Sequence, residues 1–401
     1  MNPSLTRLHP YPFERLAKIK QDSKSESGKS PIDLSIGEPK HPTPQFIKDE
    51  LVIQLDSVAS YPTTRGSDLL RSTINSWLIN RFELPADSLT NDHVLPVNGT
   101  REALFAIAQC IVDHSIPDIP LVLSPNPFYQ IYEGAAVLAG ADPYYLNCTK
   151  ENNYLPDFDS VSATTWEKCQ LIYLCSPANP TGAVLSEKDL IKLMDLSDQY
   201  DFVIASDECY SEIYLDEVNP PTGLLEAAAK SDRTDFRNCL VFHSLSKRSN
   251  VPGLRSGFVA GDKNLIKQFL LYRTYHGCAM PLPTQYASIA AWQDEDHVKD
   301  NRQQYREKFD AVLEILSPVL NVEKPEASFY LWPEVPMDGV AFASGLMKTQ
   351  NVTVLPGSFL ARSSNGINPG ENRVRIALVS SLEETIEAAH RVKEFIKTST
   401  S

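Results

Sequence analysis

Lys247 is the residue around which a chemical site can be built from this chain. It lies in Phe242-His243-Ser244-Leu245-Ser246-Lys247-Arg248, directly after Cys239-Leu240-Val241-Phe242, a short apolar run with the character of a buried strand. The polar segment from His243 onward therefore leaves a strand's carboxyl end, which is where ligands sit in an open α/β sheet. Lys247 offers an amine able to condense with an aldehyde, and Ser244, Ser246 and Arg255 offer donors to a phosphate. Taken alone, the segment reads equally well as a solvated basic loop.

Two more apolar runs end in the same way. Leu171-Ile172-Tyr173-Leu174-Cys175 exits into Ser176-Pro177-Ala178-Asn179-Pro180-Thr181-Gly182, and Phe202-Val203-Ile204-Ala205-Ser206 exits into Asp207-Glu208-Cys209-Tyr210. A helix capped at Ser186 lies between them, so the two strands are expected to be parallel. An amide, an acid and a lysine thus arrive at one edge of one sheet, and that convergence is hard to attribute to chance. A carboxylate such as Asp207 at the end of a buried strand is costly unless a cation meets it.

Other strand ends add to the set. Val94-Leu95-Pro96-Val97 leads through Asn98 and Gly99 into a helix beginning near Thr100 and Arg101, whose free backbone N–H groups can cradle an anion. Leu121-Val122-Leu123-Ser124 is followed by a proline turn and Tyr129, an aromatic that either packs into the core or stacks on a ligand. Arg375 stands between Val374 and Ile376 in a strand near the C-terminus. It wants a carboxylate, either from a neighbouring Asp or Glu or from a substrate.

The elements that position these residues alternate between apolar runs and amphipathic helices. Ile32 to Gly37 alternates like a strand and runs into Glu38-Pro39-Lys40-His41-Pro42-Thr43-Pro44, where prolines forbid regular structure. Helices are expected over Phe46 to about Val58, and from Asp68 to Phe82 with Ser67 as cap and Leu69, Leu70, Ile74, Trp77 and Leu78 on one stripe. Further helices are expected to about Val112, through Phe269 to Tyr272, over about Asp296 to Leu316, Val340 to Lys348, and about Leu382 to Ile396. Short strands are expected at 328–332, 352–354 and 373–378, and the tract Gln21 to Pro31 reads as a loop. No internal repeat is apparent.

Composition narrows the function classes. The 401 residues are 42% hydrophobic and 22% charged, enough for a large core and for two or three domains. A net charge of -14 argues against a nucleic-acid backbone as partner. Seven cysteines without CxxC spacing and eight histidines without HExxH pairing point to reduced core thiols and no metal. With neither a signal-like start nor about 18 consecutive apolar residues, a cytoplasmic protein is expected.

Ser-x-Ser-Lys with Gly253-Leu254-Arg255 downstream, Asn179-Pro180-Thr181-Gly182, Asp207-Glu208-Cys209-Tyr210 and Tyr61-Pro62-Thr63-Thr64-Arg65-Gly66 together resemble the class I/II aminotransferases, which use pyridoxal 5'-phosphate. The motifs follow the family's order from Gly37 to Arg375. The resemblance implies an α/β protein of fold type I, aspartate aminotransferase-like, with a large seven-stranded, mostly parallel sheet domain and a small α+β domain. The expected division is 1–44 as N-terminal arm and part of the small domain, 45–285 as cofactor-binding domain, and 286–401 as C-terminal small domain.

It also implies roles. Lys247 binds the cofactor aldehyde and later moves a proton, Asp207 keeps the ring nitrogen protonated, and Tyr210 and Asn179 bond the phenolic oxygen. Tyr129 stacks on the ring. Gly99, Thr100, Arg101, Ser244, Ser246 and Arg255 surround the phosphate, joined by Tyr61 from the other chain of a homodimer. Gly37, Asn179 and Arg375 face the substrate, Arg375 taking its α-carboxylate.

Within the family, His9-Pro10-Tyr11-Pro12-Phe13-Glu14, Ser35-Ile36-Gly37-Glu38-Pro39-Lys40-His41 and Tyr272-Arg273-Thr274-Tyr275-His276-Gly277-Cys278 resemble the bacterial N-succinyl-diaminopimelate branch. That implies N-succinyl-LL-2,6-diaminopimelate as amino donor and 2-oxoglutarate as acceptor, with Arg65, Arg273 and Lys40 as candidate ligands of the distal carboxylates. Aspartate-, alanine- or arginine-type transamination, a carbon–sulfur lyase and a non-catalytic cofactor-sensing regulator module are the alternatives. The last lacks a basic helix-turn-helix segment ahead of the domain.

Overall fold

The computed structural model describes residues 1–23 and 25–399. A two-residue strand β1 (Ile32–Asp33) precedes a large sheet of β2 (Val94–Val97), β3 (Leu121–Asn126), β4 (Asp142–Asn147), β5 (Cys169–Cys175), β6 (Val203–Asp207), β7 (Cys239–Ser244) and β8 (Gly257–Gly261). The order is β2-β8-β7-β6-β5-β3-β4, and β8 alone runs antiparallel to its neighbours. The predicted buried runs at 171, 202 and 239 are central strands. Both their faces are covered, which is why they read as continuous apolar segments instead of alternating ones.

Strand β5 shows this directly. Ile172 and Leu174 join a core with Trp77, Met194 and Trp292, from the helices Asp68–Arg81, Glu187–Tyr200 and Leu282–Gln293. Leu171 and Tyr173 face a second core with Leu104, Ile107 and Tyr132, from Thr100–Ile111 and Ile131–Ala139. Each fully buried large apolar side chain contributes about 1.5–3 kcal/mol, so the sheet that carries the strand ends is firmly anchored on both faces.

Two expected caps form. Ser67 Oγ accepts from Leu70 N at 3.2 Å, and Ser186 with Asp189 makes a reciprocal capping box. Leu69 departs from its expected place: it is exposed, while Leu70, Ile74, Trp77 and Leu78 are buried. The helix Gln45–Ile53 stops before Val58 and continues as a 3-10 turn, Leu55–Ala59. Sequence reading did not anticipate the helices Pro12–Asp22 and Leu282–Gln293, nor strand β4.

Beyond the long helix Asp296–Leu316, β9 (Tyr330–Leu331), β11 (Leu355–Pro356) and β12 (Val374–Ala377) form a three-stranded antiparallel sheet in the order β11-β12-β9. Strand β10 (Val352–Thr353) pairs in parallel with β1, so the segment around Ile32 is built into this C-terminal body. Phe309, Val312, Leu331, Val374, Ile376 and Val392 make its core. No described helix is long and apolar enough to cross a membrane.

Candidate active site

Register brings the strand ends together. Cys175 lies opposite Asp207, Asp207 opposite Phe242, and Gly257 opposite both Ser244 and Val97. Past these ends opens a cavity of about 460 Å³ whose wall includes Gly37, Thr100, Arg101, Tyr129, Asn179, Asp207, Tyr210, Ser244, Ser246, Lys247, Arg255 and Arg375. Twelve of the fourteen residues singled out from sequence meet there, drawn from five strands of the large sheet, the loop after β1, and β12.

Lys247 sits in the one-turn helix Leu245–Arg248, where Ser246 N donates to the capping Ser244 Oγ at 3.1 Å. Its ammonium donates to the Gly37 carbonyl and lies 5.6 Å from the centre of the Phe329 ring. Burial lowers its pKa to about 8, and the Arg375 and Arg255 guanidinium groups push in the same direction. An amine so tuned is available as a nucleophile near neutral pH.

Asp207 is buried at the end of β6, and its Oδ2 accepts from the Tyr132 hydroxyl at 2.8 Å. Tyr132 is itself fixed by stacking on Tyr173 at 4.6 Å between centroids. Burial raises the Asp207 pKa, an effect that a cation in the cavity would reverse. No Lys or Arg of the described residues pairs with this carboxylate. The acid thus lacks the counter-charge its location demands, and the space it faces is where one fits.

Arg375 shows the opposite deficit. It is 4% exposed, donates through Nη1 to Asn179 Oδ1 at 2.9 Å and through Nη2 to the Ser35 carbonyl at 2.7 Å, and covers the Tyr330 ring at 4.4 Å. Its Nε is buried without a partner. The neighbouring ion pair considered from sequence is therefore absent among the described residues, and a buried guanidinium with neutral partners is suited to an incoming carboxylate. Tyr210 and Tyr330 hydroxyls meet at 2.9 Å beside it.

The other end of the cavity is rich in donors. The twelve-residue helix Thr100–Ile111 begins after Gly99, which holds φ at 95°. A Cβ on Gly99 would come within 2.1 Å of Arg255 Nη2, so the close approach of that guanidinium to the helix start requires glycine. Ser244 and Ser246 hydroxyls lie 2.9 Å apart, and Arg255 is tied to Glu102 at 2.8 Å. Arg101 also pairs with Glu102, at 3.1 Å, and remains largely exposed. Helix-end amides, two hydroxyls and a guanidinium form a donor set for a phosphate. With the amine of Lys247 and the buried acid of Asp207, these residues fit pyridoxal 5'-phosphate.

Tyr61 does not join the cavity and is fully exposed. The three candidates for distal carboxylates also lie outside its wall. Arg65 pairs with Asp92 on the surface, Arg273 is buried against the Cys278 carbonyl, and Lys40 faces away behind the Gly37 loop. Residues that sequence reading passed over are Tyr132, Tyr330, Cys175, Cys209 and Tyr11, all in or beside the wall. Tyr132 lies in the first turn of the helix Ile131–Ala139, three positions after Tyr129.

Residues 29–392 match the model of the family aminotransferase class I and II. LL-diaminopimelate aminotransferase of Aquifex aeolicus is 32% identical over 393 residues, covering 96% of each chain. Among solved structures, an aminotransferase from Neisseria meningitidis Z2491 superimposes with a TM-score of 0.93 at 48% identity, covering 99% of this chain and 100% of that one. Aminotransferase AspB from Helicobacter pylori 26695 gives 0.89 at 35% identity, covering 97% and 99%.

Proposed function

Because the chain belongs to the class I and II aminotransferases, pyridoxal-phosphate enzymes acting on an amino acid and a 2-oxo acid, we propose that its donor is N-succinyl-LL-2,6-diaminopimelate and its acceptor 2-oxoglutarate. The products are N-succinyl-2-amino-6-oxopimelate and glutamate. The fold is aspartate aminotransferase-like fold type I. The observation that carries the site assignment is Arg375, buried beside Lys247 without a carboxylate of its own.

Pyridoxal phosphate supplies an electron sink for the pair left when the donor α-carbon loses its proton. The chain's residues do the rest. Lys247 Nζ would hold the aldehyde and, when free, could accept the proton lost by the donor α-carbon. Asp207, oriented by Tyr132, would hold a proton on the ring nitrogen, and Tyr210 and Asn179 would bond the phenolic oxygen. Tyr129 would support the ring face, while Gly99, Thr100, Arg101, Ser244, Ser246 and Arg255 would hold the phosphate. Gly37 and Arg375 orient the substrate, Arg375 through its α-carboxylate.

The same reading includes a homodimer in which Tyr61 reaches the other chain's phosphate. Support comes from the exposed side chains of Val52, Ile53, Leu55, Val58 and Tyr61, an apolar stretch of the kind that a second copy covers. The division into 45–285 and 286–401, joined by the 1–44 arm, belongs to it as well.

The donor assignment is supported by the stretches shared with the succinylated branch and by relatives named for diaminopimelate. Those relatives favour one second reading, free LL-diaminopimelate as donor. Steady-state assays with 2-oxoglutarate and each donor separate the two: a higher kcat/KM for the succinylated compound supports the first, and the reverse order replaces it with the second.

A further inference from the structure

Behind the loop that carries Gly37 lies another cavity, of about 240 Å³, walled in part by Lys40, His41, Glu307, Lys308 and Ser381. Lys308, in the helix Asp296–Leu316, is only 2% exposed. Its Nζ hydrogen-bonds His41 Nε2 at 2.6 Å. No carboxylate of the described residues pairs with it, and the adjacent Glu307 is exposed and bonds Gln303 on its own helix.

Hydrogen-bond accounting fixes the imidazole. Asn301 Nδ2 donates to the Lys247 carbonyl at 3.3 Å, so Asn301 Oδ1 is the atom that faces His41 Nδ1 at 2.7 Å, and it can only accept. Nδ1 therefore carries the hydrogen and Nε2 accepts from the Lys308 ammonium. Burial keeps the ring neutral, with its pKa lowered to about 4. Beyond this bond the Lys308 ammonium has only the face of the Tyr305 ring, 5.1 Å away, although a buried cation ordinarily has an anion beside it.

A second lysine lines the same space. Lys40 reaches Ser380 Oγ at 3.5 Å, and Ser381 Oγ caps the eighteen-residue helix Leu382–Ser399 by accepting from Glu384 N at 3.2 Å. Two lysines and a helix N-terminus thus face one another across a space in which the only carboxylate, Glu307, is turned to solvent.

We propose that this cavity is an oxyanion-binding site, filled by a small phosphate-like or carboxylate anion held between Lys308 and Lys40 at the start of the helix Leu382–Ser399. It is separate from the central cavity but connected to it. The route runs from Lys308 through His41 and Asn301 to the main chain of Lys247, and His41 shares a loop with Gly37, whose carbonyl receives the Lys247 ammonium.

Calorimetric titration of the holoenzyme near pH 7 with inorganic phosphate and, separately, with acetate tests the site. One site per chain is expected in the millimolar range or tighter, weakened at least about tenfold in Lys308→Met and retained in Arg375→Lys. The tighter of the two anions identifies the chemistry of the natural occupant. Unchanged affinity in a folded Lys308→Met variant, loss of binding only in Arg375→Lys, or no binding of either anion overturns the proposal. Should Lys308→Met fail to fold, acylation of Lys308 in the wild-type enzyme, followed by mass spectrometry, gives an independent reading. Slowing by the anion supports the site, and an unaltered rate overturns it.

Discussion

The Arg375 guanidinium donates to the Asn179 side-chain oxygen at 2.9 Å, a bond that joins β12 of the small sheet to the loop leaving β5 of the large one. Asn179 leaves Arg375 charged and incompletely satisfied, since an amide neutralises nothing and Nε has no partner. The pair is preorganised for a ligand carboxylate that adds charge-assisted bonds to a guanidinium already held in place.

Arg375→Lys removes the fork geometry but keeps the charge. Charge-assisted hydrogen bonds are worth about 1.5–3 kcal/mol, so kcat/KM for the amino donor is expected to fall by roughly 10- to 150-fold. Steady-state kinetics check this, with the visible cofactor band unchanged.

The lowered pKa of Lys247 predicts how the cofactor loads. Deprotonated amine is the reactive form, so the rate at which cofactor-free enzyme develops its visible band on mixing with pyridoxal phosphate should rise with pH and level off above about 8. The same shift makes the native chain release this proton before the unfolded chain does. Stability of the cofactor-free enzyme therefore gains from this group as pH rises from about 8 toward the ordinary lysine value of 10.5.

Gly37 packs against Tyr330 so closely that an added Cβ would stand 1.8 Å from the phenolic oxygen. Gly37→Ala must displace Tyr330 and with it the 2.9 Å contact to Tyr210. A stability loss of about 1–3 kcal/mol, read as a lower midpoint in urea, is expected together with reduced activity.

If Tyr61 serves the other chain, Tyr61→Phe on one chain and Lys247→Ala on the other fall in the same site of a mixed dimer. Each homodimer is impaired, whereas a heterodimer regains one site carrying both wild-type residues. Recovery of activity on co-refolding the two variants is the expected result; its absence removes the cross-chain role.

How far the sequence revealed this arrangement depended on what each residue's neighbours were. Leu171 to Cys175 and Cys239 to Phe242 were legible because strands covered on both faces are apolar throughout, and Asn179, Asp207 and Lys247 because each breaks such a run at its end. Strand β4 was not, since Asp142-Pro143-Tyr144-Tyr145 lies at the sheet edge and is mostly half-buried. The helix Leu282–Gln293 was missed because it buries Gln285 and Ala287 on opposite sides and presents no single apolar stripe. The bond between Tyr132 and Asp207 and the meeting of Tyr210 with Tyr330 join positions 75 and 120 residues apart, and no local pattern announces them.

The most direct test of the account is a half-reaction. Holoenzyme is mixed with N-succinyl-LL-2,6-diaminopimelate in the absence of any 2-oxo acid, and the visible absorption of the cofactor is followed in time. Rapid loss of the visible band, restored by 2-oxoglutarate and abolished in Lys247→Ala, is the predicted result. A band that stays unchanged with this donor, or that fades only with another amino acid, contradicts the proposed donor.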